Sequence, residues 1–109
     1  GFRKTLELGN YELETWLMRC DILIELGENQ AAIKNLFQAV EFYPENAEIE
    51  YRLAGLFYNV SEEGKGDYHL KNGLNLDPEF IIILEELFPI VFIKKTVLKI
   101  IKNHKKTSI

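Results

Sequence analysis

The chain has one cysteine, three prolines, one tryptophan and one methionine among its 109 residues. A single thiol, Cys20, cannot build an internal disulfide framework, and it excludes metal centres made of cysteine clusters. It fits a reducing compartment such as the cytoplasm. Long apolar runs are also missing. The stretch 81–93 comes nearest, but Glu85, Glu86 and Pro89 interrupt it before it could cross a bilayer. No secretory leader is visible, and Gly1 reads as a boundary within a longer chain. Acid is absent from the end of the chain. Residues 87–109 hold 6 lysines and no Asp or Glu, whereas residues 1–86 hold 7 Lys/Arg against 17 Asp/Glu. An acidic body does not suit nucleic acid. The basic tail is left to meet acidic surfaces.

What is present reads as helix. At 47% apolar and 28% charged residues the composition is that of a folded domain rather than a disordered chain. Leu13, Trp16, Leu17, Ile22, Leu23, Ile24 and Leu26 form a broad helical stripe that ends at Gly27, a residue suited to a left-handed turn. Asn29 is placed to cap a second helix reaching about Phe42, where Tyr43-Pro44 stops it. Asn46 caps a third helix, from Ala47 to about Val60. A loop, SEEGKG, follows, and then a fourth helix from about Lys65 to Leu76. Asp77-Pro78 opens a new segment. Phe80 to Phe88 reads as a short helix, apolar nearly all round, that Pro89 kinks or ends. A last helix runs from about Lys94 to His104, and residues 107–109 fray.

Groups capable of chemistry are few, and each has a plainer reading. Gly64-Lys65-Gly66 lacks the spacing and the preceding strand of a phosphate loop, so it reads as a turn. His69 and His104 have no ligand partner at helical spacing and read as solvated surface. Cys20 has no histidine at a triad-like spacing and reads as a small residue where two helices approach closely. Glu62-Glu63 and Glu85-Glu86 read as solvated helix ends rather than an acid/base pair. The expectation is a non-enzyme, with no catalytic residue, no metal and no cofactor.

The interval between punctuation marks carries more. Pro78 lies 34 residues after Pro44. Counting from Leu13, Trp16 falls on an aromatic site, Cys20 on a small site, Leu23 on a large apolar site and Gly27-Glu28 on a turn. Ala32, Leu36 and Ala39 then alternate small, large and small, and Pro44 closes the unit. This pattern resembles the 34-residue tetratricopeptide repeat, a period that is itself a standard example of a repeat signature. The match from Ala47 to Phe80 is weaker. Ala54, Phe57, Leu70 and Pro78 fit, but Glu50 replaces the aromatic, Ser61 the turn glycine, and Gly66 and Gly73 the usual alanines. Each helical glycine costs about 1 kcal/mol relative to alanine, so on propensity alone the second hairpin opens more easily than the first.

The resemblance implies an all-α fold, a superhelix of stacked antiparallel hairpins. Residues 2–10 would end a preceding repeat, 13–46 and 47–80 would form two repeats, and 81–109 would cap the array. It also implies a concave groove lined by the first helix of each repeat. That groove would contain Glu14, Leu17, Asp21, Ile24 and Glu25, then Glu48, Tyr51, Gly55, Tyr58 and Asn59. Members that clamp a terminal carboxylate use a lysine and an asparagine where this chain has Leu17 and Asp21, so that subtype does not fit. A basic or apolar peptide suits the acidic groove, and neither nucleic acid nor membrane is expected as a partner. The alternative is a structural, self-associating module in which the lysine-rich last helix meets the acidic body of a second copy, forming a homodimer. Truncating Tyr51 and Tyr58 separates groove from core: binding is lost if the rings face a ligand, stability if they pack.

Overall fold

The computed structural model describes residues 12–107, so the expected end of a preceding repeat at 2–10 lies outside the described residues. Every regular element within them is helical: α1 (Leu13–Glu25), α2 (Asn29–Val40), α3 (Ala47–Asn59), α4 (Glu63–Leu76), a 3-10 turn (Pro78–Ile81), α5 (Ile82–Leu87), α6 (Pro89–Phe92) and α7 (Lys95–Thr107). Among the described residues no helix is long and apolar enough to cross a membrane.

Backbone chemistry sets the boundaries. Beyond α1 the Gly27 N–H donates to the Ile24 carbonyl (3.0 Å) and the Glu28 N–H to the Leu23 carbonyl (2.9 Å). This paired closure requires a left-handed residue, and Gly27 supplies φ +78°. The end of α3 repeats it: Ser61 donates to Tyr58, Glu62 to Phe57, and Ser61 takes φ +63°. Helices α1 and α3 start 34 residues apart, at 13 and 47, and end 34 apart, at 25 and 59. The turns correct two expectations. Each turn leads directly into the next helix, so Glu28 rather than Asn29 precedes α2, and α4 starts at Glu63 rather than Lys65. Gly64-Lys65-Gly66 is therefore helix and not loop. Asn46 does cap α3, its side chain accepting from the Ile49 N–H at 3.1 Å, and the Asp77 carboxylate accepts from the Glu79 N–H at 3.0 Å.

Helix α3 is the hub. It packs against α1, α2, α4 and α5, and all eight residues from Tyr51 to Tyr58 are buried. A helix apolar nearly all round belongs inside, and its one charge in that span, Arg52, is paired. The guanidinium donates to both Asp21 oxygens (2.7 and 3.0 Å) and to the Glu48 carbonyl (3.1 Å), tying α1 to α3. Trp16 is fully buried and stacks on Phe42 at 6.3 Å, while the buried Asn35 amide donates to the Trp16 carbonyl at 3.0 Å across the first hairpin. The helices on either side of Pro44, α2 and α3, pack together. Beyond α4, α5 and α6 cover α3, and α7 packs on α4 and α6, with its Val97 buried. Ile101 is half-buried, whereas Leu98 is 44% exposed.

Candidate functional site

The α3–α4 pair decides how much of the expected groove is open. Tyr51 and Tyr58 lie seven residues apart, as do Gly66 and Gly73. A methyl group on Gly66 would come within 2.9 Å of the Tyr58 ring, and one on Gly73 within 3.1 Å of the Tyr51 ring. The later tyrosine meets the earlier glycine, so the helices run antiparallel with each ring laid on a helix surface that has no side chain. The hydroxyls are also committed: Tyr51 donates to the Asp77 carbonyl at 2.9 Å, and Tyr58 to the Asp67 carboxylate. Burial, reinforced by the Asp77 charge, pushes the Tyr51 phenol up. Burial also pushes the Tyr58 phenol up, aided by its bond to Asp67 and the charges of Asp67 and Glu63. Between the two tyrosines, a Cβ on Gly55 would sit 2.2 Å from Phe88 Cδ2, because the chain between α5 and α6 sets that ring on the glycine.

Tyr51, Gly55 and Tyr58 are thus core, contrary to the expectation of a ligand-facing groove: α4 covers the two rings and Phe88 covers the glycine. Leu17 is buried as well. Ile24 is half-buried against the core, Asp21 is engaged by Arg52, and Glu48 is half-buried. Of the ten expected residues, Glu14, Glu25 and Asn59 are exposed. The glycines also acquire a purpose: their propensity cost is offset by ring packing that alanine would obstruct.

Another surface is open. Met18, Ile22 and Leu26 are 61%, 53% and 68% exposed, and their four-residue spacing puts them on one side of α1. Glu25 lies two turns from Met18 on the same side, and Glu14 one turn before it. Ile22 and Leu26 belong to the helical stripe expected from the sequence, whereas Met18 does not. The available signal was excess: α1 has more apolar positions than one buried face can take.

His69 also departs from expectation. It is buried rather than solvated, with Nδ1 2.7 Å from Glu50 Oε1, and the Asn72 amide donates to the same oxygen at 3.3 Å. The ring stacks on Phe57 at 5.4 Å and meets Tyr68 edge-on at 4.9 Å. Glu50, placed where the repeat pattern expects an aromatic, instead anchors α4 to α3. Cys20 is fully buried, and desolvation pushes its thiol up to about 12, with Arg52 pulling the other way. No cluster of three or more potential metal ligands occurs among the described residues. Glu62, Glu63, Glu85 and Glu86 are all exposed. No family model matches the chain, and no curated protein or solved structure matches it.

Proposed function

We propose that the chain is a non-catalytic interaction module of the tetratricopeptide kind, and that it binds its partner on the exposed side of α1. The repeat reading is supported by the 34-residue recurrence of helix boundaries and of the left-handed turn at Gly27 and Ser61. The single observation behind the binding reading is the stripe Met18–Ile22–Leu26 with Glu14 and Glu25 beside it. Three large apolar side chains on one helical face cost about 25 cal/mol for each Å² of apolar surface left in water. A partner helix with an apolar stripe would cover them, and flanking lysines or arginines on it would meet the carboxylates. The partner class is therefore a basic amphipathic segment.

The test is a titration with two helical peptides of identical apolar content, one basic and one acidic, at low and at physiological salt. The basic peptide should bind saturably, more weakly as salt rises, and Ile22→Ser with Leu26→Ser should abolish binding without unfolding the chain. Equal or tighter binding of the acidic peptide overturns the reading. A self-associating module is favoured by a different observation: Ile90, Ile93 and Leu98 are 74%, 63% and 44% exposed around the lysines of α7. Light scattering that finds a monomer at high concentration removes that alternative.

A further inference from the structure

The surface along α7 holds a feature that the α1 reading does not use. Helix α7 packs on α4, and a cavity of about 510 Å³ opens between the two helices. This is the size range of small-molecule sites. Lys71 reaches its wall from α4 and Lys99 from α7. Neither lysine is in an ion pair among the described residues. Asn75 and Thr96 add neutral hydrogen-bonding groups, while Leu74 and Ile100 form an apolar wall. The one carboxylate lining the cavity, Asp67, accepts the Tyr58 hydroxyl and keeps its negative charge, so the lining sets two lysines, beside His104, against one carboxylate.

Lys71 and Lys99 line one cavity from different helices, so their like charges repel each other across it, an effect that solvent weakens because both residues are exposed. An oxyanion between them would reverse the sign of that contribution, with Asn75 and Thr96 able to complete its hydrogen bonds. We infer that the cavity between α4 and α7 is a binding site for a small organic oxyanion, a phosphate or carboxylate whose apolar portion rests on Leu74 and Ile100. Binding would clamp α7 onto α4. The site lies in a locally basic part of a chain with net charge −4, so the chain as a whole does not draw the ligand in; the local pair does.

The experiment follows backbone amide shifts at constant ionic strength during titration with phenyl phosphate, phenylacetate and, as the uncharged counterpart, benzyl alcohol. Amides at Lys71, Asn75, Thr96 and Lys99 should move saturably with at least one of the two anions, and the tighter of these identifies the headgroup. The double variant Lys71→Gln/Lys99→Gln should weaken binding by about tenfold or more, the loss expected on removing charge-assisted hydrogen bonds. It should also melt at a temperature no lower than the parent, since the repulsion is gone. Lys102→Gln/Lys106→Gln removes the same charge outside the cavity and should change affinity less than about twofold. Absence of saturable shifts with both anions, equal binding of benzyl alcohol, or an equal loss in the Lys102/Lys106 variant overturns the site.

Discussion

Replacing Gly55 by alanine tests whether the second hairpin is closed from outside. Two effects compete. Alanine in mid-helix gains about 1 kcal/mol over glycine. Against this, the new methyl carbon would lie 2.2, 2.4 and 2.5 Å from three carbons of the Phe88 ring, where carbon pairs settle at about 3.5–4.0 Å. The ring must therefore retreat by more than about 1 Å. It is 3% exposed, and its own backbone N–H is fixed to the Leu84 carbonyl at 2.9 Å, so it cannot simply slide. Overpacking of this kind costs about 1–3 kcal/mol. Complete ejection of the ring would forfeit about 1.5–3 kcal/mol of burial. The net expectation is a loss of about 1 kcal/mol, and at most about 2. Gly64→Ala is the control, because a Cβ there meets nothing within 4 Å; it should stabilise by up to about 1 kcal/mol. Urea unfolding followed by circular dichroism reads both. With a slope of about 1–2 kcal/mol per molar, Gly55→Ala should lower the midpoint by roughly 0.5–1 M and Gly64→Ala should raise it by no more than that. In a Phe88→Ala background Gly55→Ala should cease to destabilise, which assigns the loss to the ring. A Gly55→Ala midpoint equal to or above that of the parent would refute the packing of α5 and α6 on α3.

Two further outcomes can be measured on the same chain. Ser61 holds φ +63° where the matching turn has Gly27 at φ +78°; Ser61→Gly should stabilise by about 1 kcal/mol and Gly27→Ser should destabilise by a similar amount, both read from urea midpoints, and a midpoint unmoved by either change would contradict the turn geometry. Alkali should unfold the chain: Cys20, Tyr51 and Tyr58 keep their protons in the fold above their ordinary values of 9.0, 10.0 and 10.0, so their contribution is complete below about pH 9 and is lost as pH rises, at about 1.4 kcal/mol per unit for each group once its unfolded form ionises. A urea midpoint that stays flat from pH 8 to 11, or rapid alkylation of Cys20 in the folded chain, would show these groups to be solvated.

Local chemistry was the legible part of the sequence. Gly27, Pro44, Asn46 and Asp77-Pro78 act on the backbone within a few residues, and they mark the ends of helices as read. The all-helical class follows from them. Errors arose where a residue's role depends on a second helix. Asn29 looked like a cap, but the double hydrogen-bonded turn uses Glu28 first. Gly66 and Gly73 looked like liabilities because propensity concerns one helix, whereas ring-on-glycine packing concerns two. His69 looked solvated because its partner, Glu50, is 19 residues away. Arg52 gave no local sign that it would clamp Asp21. The groove residues failed for the same reason: repeat register fixes where a side chain sits on its helix, but not whether a neighbouring segment lies over it.

That distinction bears on recognition. A tyrosine can spend its ring on packing or on a ligand, and in α3 both rings are spent: each lies on a glycine, and each hydroxyl holds a group of the same chain. Surfaces left for partners are then those that the hairpins do not use to pack. Two of these, the outer side of α1 and the notch beside α7, differ in field. Glu14 and Glu25 mark the first, Lys71 and Lys99 the second. Helix α1 packs on α2 and α3, whereas α7 packs on α4 and α6, so the body of the fold stands between them. Physiological salt screens exposed charges beyond about 8 Å, less than the roughly 10 Å width of one helix. A ligand at either surface therefore responds to the charges beside it rather than to the net −4, and a basic peptide on α1 and an oxyanion beside α7 can bind without competing.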